Sequence, residues 1–181
     1  SVSVNAGKPW SMLLPVLFLL ALSALVGYYP YWHGPDWLVG TDAYWRYKGP
    51  LDGMAGMNGL DGFGQALKEH QSGFLILLLG LMRITSFTSQ AVVRYTPIGL
   101  VAMTALATFW LARTLGLGTG VALLSGVASI MLMPTSIGIF TSILANWFAL
   151  ILWMIFLAIL MERDSRLHVV CAAILGSLFS L

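Results

Sequence analysis

Charged residues divide this chain into a series of apolar runs, and the lengths of those runs predict its elements. Trp10 to Tyr29 is long enough to cross a bilayer as one helix. Phe74 to Met82, "FLILLLGLM", is short and stops at Arg83. Tyr95 to Ala112 ends at Arg113, Val121 to Met133 is broken by Pro134, and Leu144 to Met161 ends in "ERDSR". A further apolar run begins at Leu167. A helical span needs about 20 residues. The run after Gln71 would be about 14–18 Å long as a helix, well short of a hydrocarbon core of about 30 Å. Charge gives a second test. If that run does not cross and the N-terminus is cytoplasmic, Lys8, Arg113, Arg163 and Arg166 all fall on the cytoplasmic side, as basic residues prefer. If it crosses, the last three fall outside. The pattern therefore predicts an all-α polytopic helix bundle with about five transmembrane helices. These are 10–29, 91–113, 118–133, 144–161 and 167–181. Residues 30–90 form one long external segment, in which 73–87 is a helix lying at the interface with Arg83 reaching for water.

Composition agrees. Of 181 residues, 59% are hydrophobic and 9% charged, where a soluble domain carries about 25% charged residues. Mean hydropathy is +0.87. The chain reads as a single integral membrane domain. A net charge of +2 with no polybasic run argues against a nucleic-acid partner. Cys171 is the only cysteine, so no internal disulfide can form. The chain starts at Ser1 and stops within an apolar run, and it reads as one part of a larger protein. The first apolar run is too long for a signal-peptide core and is read as a retained helix.

Candidate chemistry concentrates in the external segment. "LVGTDAYWRY" places Asp42 and Arg46 among Tyr44, Trp45 and Tyr47, just beyond the first span. A carboxylate at that depth can hold a divalent cation or take a proton. It can also simply pair with Arg46 four residues on, across one helical turn. The aromatics Tyr28, Tyr29, Tyr31, Trp32, Trp37, Tyr44, Trp45 and Tyr47 read as an interfacial belt rather than a sugar platform. "GPLDGMAGMNGLDGFGQALKEH" carries Asp52, Asp61, Glu69 and His70. Its glycines suit either a flexible solvated loop over 49–64 or a backbone that approaches a ligand. Asn146 opens the fourth span and suits a helix start or a helix–helix hydrogen bond. The helix interiors lack charges, which counts against a transporter.

The order of these parts resembles the membrane half of GT-C glycosyltransferases, which use lipid-linked sugar donors. Oligosaccharyltransferase catalytic subunits and protein O-mannosyltransferases are two branches. "GTDAYWRY" is similar to the acidic segment early in their first external loop, with Asp42 in the place of the acid. "HQSGFLILLLGLMRIT" is similar to the interfacial helix that follows. "VVRYTPIGLVAMTALATFWLARTLG" and "GVALLSGVASIMLMPTSIGIFTSILANWFAL" are similar to the next two helices and the second external loop. The resemblance covers about residues 10–165. It implies transfer of a sugar from a polyprenyl-phosphate donor to an acceptor at the external face. Asp42 would be the base or a ligand to Mg²⁺ or Mn²⁺, and Arg46, Arg83 and Arg94 would contact phosphate. His70 and Asn146 are further substrate-binding candidates. Membrane lipids and the remainder of a longer chain, or partner subunits, would be its other partners. One departure matters. The metal-dependent branch has an acidic pair before the fourth span, but this chain reads "IFTSILANWFA" there, with an amide at Asn146. Two other readings follow: a non-catalytic accessory subunit of a membrane complex, and a transporter fragment.

Overall fold

Apolar runs bounded by helix caps and turns become helices. In the computed structural model, which describes residues 10–32, 34, 43–69, 71–132 and 144–161, every regular element is helical. In chain order these are α1 (Trp10–Tyr28), a 3-10 turn (Tyr29–Tyr31), a π-helical turn (Ala43–Lys48), α2 (Gly49–Ala55), α3 (Gly59–Ala66), α4 (Ser72–Thr85), α5 (Ser89–Thr114), α6 (Thr119–Met131) and α7 (Leu144–Met161). Three of them, α1, α5 and α7, are long and apolar enough to cross a membrane. The 14 residues of α4 and the 13 of α6 make helices of only about 20 Å. The expected helix over 167–181 lies outside the described residues.

Local chemistry sets the boundaries. Thr88 caps α5 by accepting a hydrogen bond from the Ala91 N–H at 3.2 Å. At its other end the Gly116 N–H donates to the Arg113 carbonyl and the Leu117 N–H to that of Ala112. This is the paired closure of a helix that ends on a left-handed residue, and Gly116 supplies it at φ 80°. The Arg113 guanidinium closes the same turn on the Leu117 carbonyl at 2.6 Å. The chain therefore reverses within four residues and α6 returns antiparallel to α5.

The central element is α5, which buries 44% of its apolar window, against 33% for α7 and 17% for α1. The other three bundle helices pack on it. Gly27 of α1 lies so close to α5 that a Cβ there would sit 2.7 Å from the Ile98 Cα. Gly126 of α6 brings Leu19 and the Ala105 carbonyl within about 3 Å of the same imagined atom. Small residues let helix backbones approach where hydrocarbon solvent supplies no drive for association. Between α7 and α5 the contact is polar as well. The buried Trp147 indole N–H donates to Thr104 Oγ1 at 2.8 Å, and that hydroxyl donates onward to the Leu100 carbonyl at 2.7 Å. Both polar groups are satisfied without water.

These contacts fix directions. Tyr28 stacks on Tyr95 at the end of α1 and start of α5, so the two run antiparallel. Trp147 and Met154 meet Thr104 and Thr108 in the same order, so α7 runs with α5. The C-termini of α1 and α6 and the N-termini of α5 and α7 therefore share one end of the bundle, where residues 43–85 gather.

The glycine-rich stretch 49–64 is not a loop. It forms α2 and α3, with Leu51 and Met54 buried at helical spacing and Ala66 buried one element on. Two large apolar side chains three residues apart give even a glycine-rich helix a face to bury.

Candidate functional site

The π-helical turn packs Ala43 and Tyr47 inward and leaves Tyr44, Trp45 and Arg46 exposed. Its outward face forms one wall of a pocket lined by Trp45, Arg46, Pro50, Glu69 and Gln71, with a volume of about 540 Å³. Pro50 follows from the first turn of α2. Glu69 and Gln71 come from the connection into α4. Gln71 precedes α4 in the left-handed conformation, φ 67° and ψ 35°, which a residue with a Cβ rarely adopts. Among the described residues, one cation, one carboxylate, one amide and one indole thus border the same space.

Tyr47 holds that wall in place. Its ring is fully buried, edge-on to Phe74 at 5.5 Å. Its hydroxyl donates to Gln71 Oε1 at 2.9 Å and accepts from the Ala145 N–H at 3.2 Å. The amide oxygen of Gln71 is thereby fixed, and one of the unpaired N–H groups that open α7 is capped. A single phenol joins the segment after Asp42, the start of α4 and the start of α7. The belt expected from the aromatics is correspondingly incomplete. Tyr29, Trp32, Tyr44 and Trp45 are exposed, but Tyr31 and Tyr47 are buried.

A second clasp stands beside the pocket. Lys48 and Asp52 pair at 2.6 Å, and the Ser89 hydroxyl donates to the other oxygen of Asp52. Partial burial pushes the Asp52 carboxyl upward. The hydrogen bonds from Lys48 and Ser89 outweigh it and hold the carboxyl below its usual value. The same hydrogen bond raises Lys48 against the effect of burial. The clasp ties α2 to the first turn of α5.

The residues singled out by sequence scatter around this end. Arg46 lines the pocket. Arg83 lies elsewhere, donating to the Met57 carbonyl at 2.9 Å and lying over the Phe63 ring at 5.7 Å, so it braces α3 against α4. Arg94 lies over the Tyr31 ring at 5.5 Å, and its Nε and Nη2 are buried with no hydrogen-bond partner among the described residues. Asn146 is exposed, next to Ala145. Asp42 and His70 lie outside the described residues. Among the described residues no three His, Cys, Asp or Glu side chains gather.

Sequence reasoning missed Gln71, the burial of Tyr47 and the Trp147–Thr104 link. The Lys48–Asp52 spacing was a visible signal, since residues four apart face each other on a helix. Nothing in the order of residues announced a phenol meeting an amide 98 positions away.

No protein-family model, no curated protein and no solved structure matches the chain. Among the described residues, fold and site together form an all-helical bundle with three helices suited to crossing a membrane and a charged pocket at one end.

Proposed function

We propose that this chain transfers a sugar from a polyprenyl-phosphate donor to an acceptor at the external membrane face, in the manner of GT-C glycosyltransferases. The observation that carries the reading is the Tyr47 phenol. It joins the segment that follows Asp42 to Ala145, beside Asn146, as a shared reaction face of the two external segments requires. Arg94 adds support. A guanidinium with two buried nitrogens that find no hydrogen-bond partner among the described residues is costly, and a phosphate is the anion whose oxygens it can hold in pairs. In this reaction the acceptor gives its proton to the Asp42 carboxylate and bonds the anomeric carbon. The bond from that carbon to the lipid phosphate breaks, and arginine stabilises the departing phosphate. The N-terminus is then cytoplasmic and residues 30–90 external.

Asp42→Asn in the full-length protein tests the proposal. A general base contributes about 10²- to 10⁴-fold, so sugar transfer from a lipid-linked donor should fall by that order while expression and membrane insertion stay normal. Undiminished transfer would remove Asp42 from the chemistry. The amide at Asn146, where the resemblance leads one to expect an acid, favours a second reading, an accessory subunit. Under that reading the variant changes nothing in sugar transfer.

A further inference from the structure

We infer that the pocket beside Tyr47 is a binding site for a phosphate ester carrying an ammonium group, the chemistry of an aminoalkyl phosphate headgroup. The inference does not rest on sugar transfer and stands or falls apart from it.

Among the described residues, the lining carries both charges of such a ligand. Arg46 supplies a planar fork of donors for phosphate, and with five N–H groups it can serve a protein neighbour and a ligand at once. Glu69 is exposed, and its carboxylate makes no hydrogen bond or ion pair among the described residues. It suits an ammonium. Gln71 is the third contact. Tyr47 engages its amide oxygen, which leaves the amide N–H groups as donors to a phosphate oxygen. The left-handed backbone at Gln71 sets this side chain against the pocket, and strained positions of this kind persist where surrounding contacts impose them. A purely anionic ligand would face the Glu69 charge, and a purely cationic one the Arg46 charge. A ligand carrying both signs satisfies both walls.

Depth points to the same class. Trp45, on the pocket rim, is 78% exposed, with Tyr44 beside it edge-on at 5.3 Å. Exposed tryptophan and tyrosine in a membrane protein settle at the level of the lipid headgroups. A pocket of about 540 Å³ is in the range of small-ligand sites.

The test is calorimetric titration of the full chain in detergent micelles with three probes. These are a short-chain phosphatidylethanolamine, the matching phosphatidylglycerol, and soluble phosphoethanolamine. The expected result is that the ethanolamine lipid binds at least about threefold more tightly than the glycerol lipid. That preference should vanish in Glu69→Gln, a surface change that leaves the core untouched. An exposed charge pair supplies about 0.2–1 kcal/mol, which is up to about fivefold in affinity. Arg46→Gln should weaken both lipids together. Soluble phosphoethanolamine binding as well as the lipid would support the site and assign it a soluble ligand. Binding of the lipid alone would support it and assign a membrane source. Equal affinity for the two lipids, or a preference that survives Glu69→Gln, would overturn the inference.

Discussion

Tyr47 and Asp52 stand five residues apart in a stretch crowded with aromatic and charged side chains, and their surroundings give them different work. Tyr47 is enclosed and spends its hydroxyl on two partners from distant parts of the chain. Asp52 is half exposed and spends its carboxylate on a lysine one turn back and on Ser89. Burial works to raise the Asp52 pKa, but the two hydrogen bonds prevail and depress it. A carboxyl with a depressed folded pKa stabilises the fold above its unfolded value of about 3.9. That stabilisation is lost as pH falls through the folded value. At neutral pH the clasp is fully formed, and it opens only in acid. Solvent screening at an exposed pair keeps the effect below about 1 kcal/mol. Thermal unfolding in detergent between about pH 5 and pH 2.5 should show a decline that is shallower in Asp52→Asn. Parallel curves for the two proteins would show that the clasp adds nothing.

At the scale of elements, glycines have opposite consequences depending on what faces them. Gly27 meets the backbone of α5, so a methyl group there would collide with the Ile98 Cα at 2.7 Å. Backbone cannot swing aside as a side-chain tip can, and the two helices must separate. Gly80 in α4 meets nothing within 4 Å, so the same methyl group only restricts the unfolded chain. Gly27→Ala should cost about 1–3 kcal/mol by overpacking. Gly80→Ala should gain about 0.5–1 kcal/mol from helix propensity. Denaturant unfolding of both variants in one detergent measures the contrast, and a gain in stability for Gly27→Ala would refute the close approach. Several helix bounds were legible beforehand. Leu144–Met161 is the same span in sequence and structure, because apolar composition sets it directly. The helices α2 and α3 were not legible. Their glycine content resembles a loop until Leu51 and Met54 find a surface to bury against.

For the whole molecule, the order of helix directions decides what can act together. The α5–α6 turn at Leu115–Gly118 lies at the end of the bundle opposite residues 43–85 and the start of α7. Single cysteines placed in a Cys171→Ser background test this. Leu60→Cys, at a position 89% exposed, and Asn146→Cys should react with an impermeant thiol reagent from one face of the membrane. Leu117→Cys should react only from the other. Labelling of positions 60 and 146 from opposite faces would separate the two segments that the sugar-transfer proposal places outside, and end that proposal.

The sequence by itself determined that the chain is helical and apolar enough for a membrane. Hydrophobic length and the spacing of charges are local properties, readable one window at a time. It also singled out Arg46, which borders the pocket. Only the tertiary structure decided that Arg83 braces α3 against α4, that Tyr47 is interior, and that Gln71 and Glu69 complete a pocket with Arg46. Those assignments depend on which side chains meet across 24 to 98 positions of chain, and the geometry of packing, unlike the period of a helix, leaves no trace in neighbouring residues.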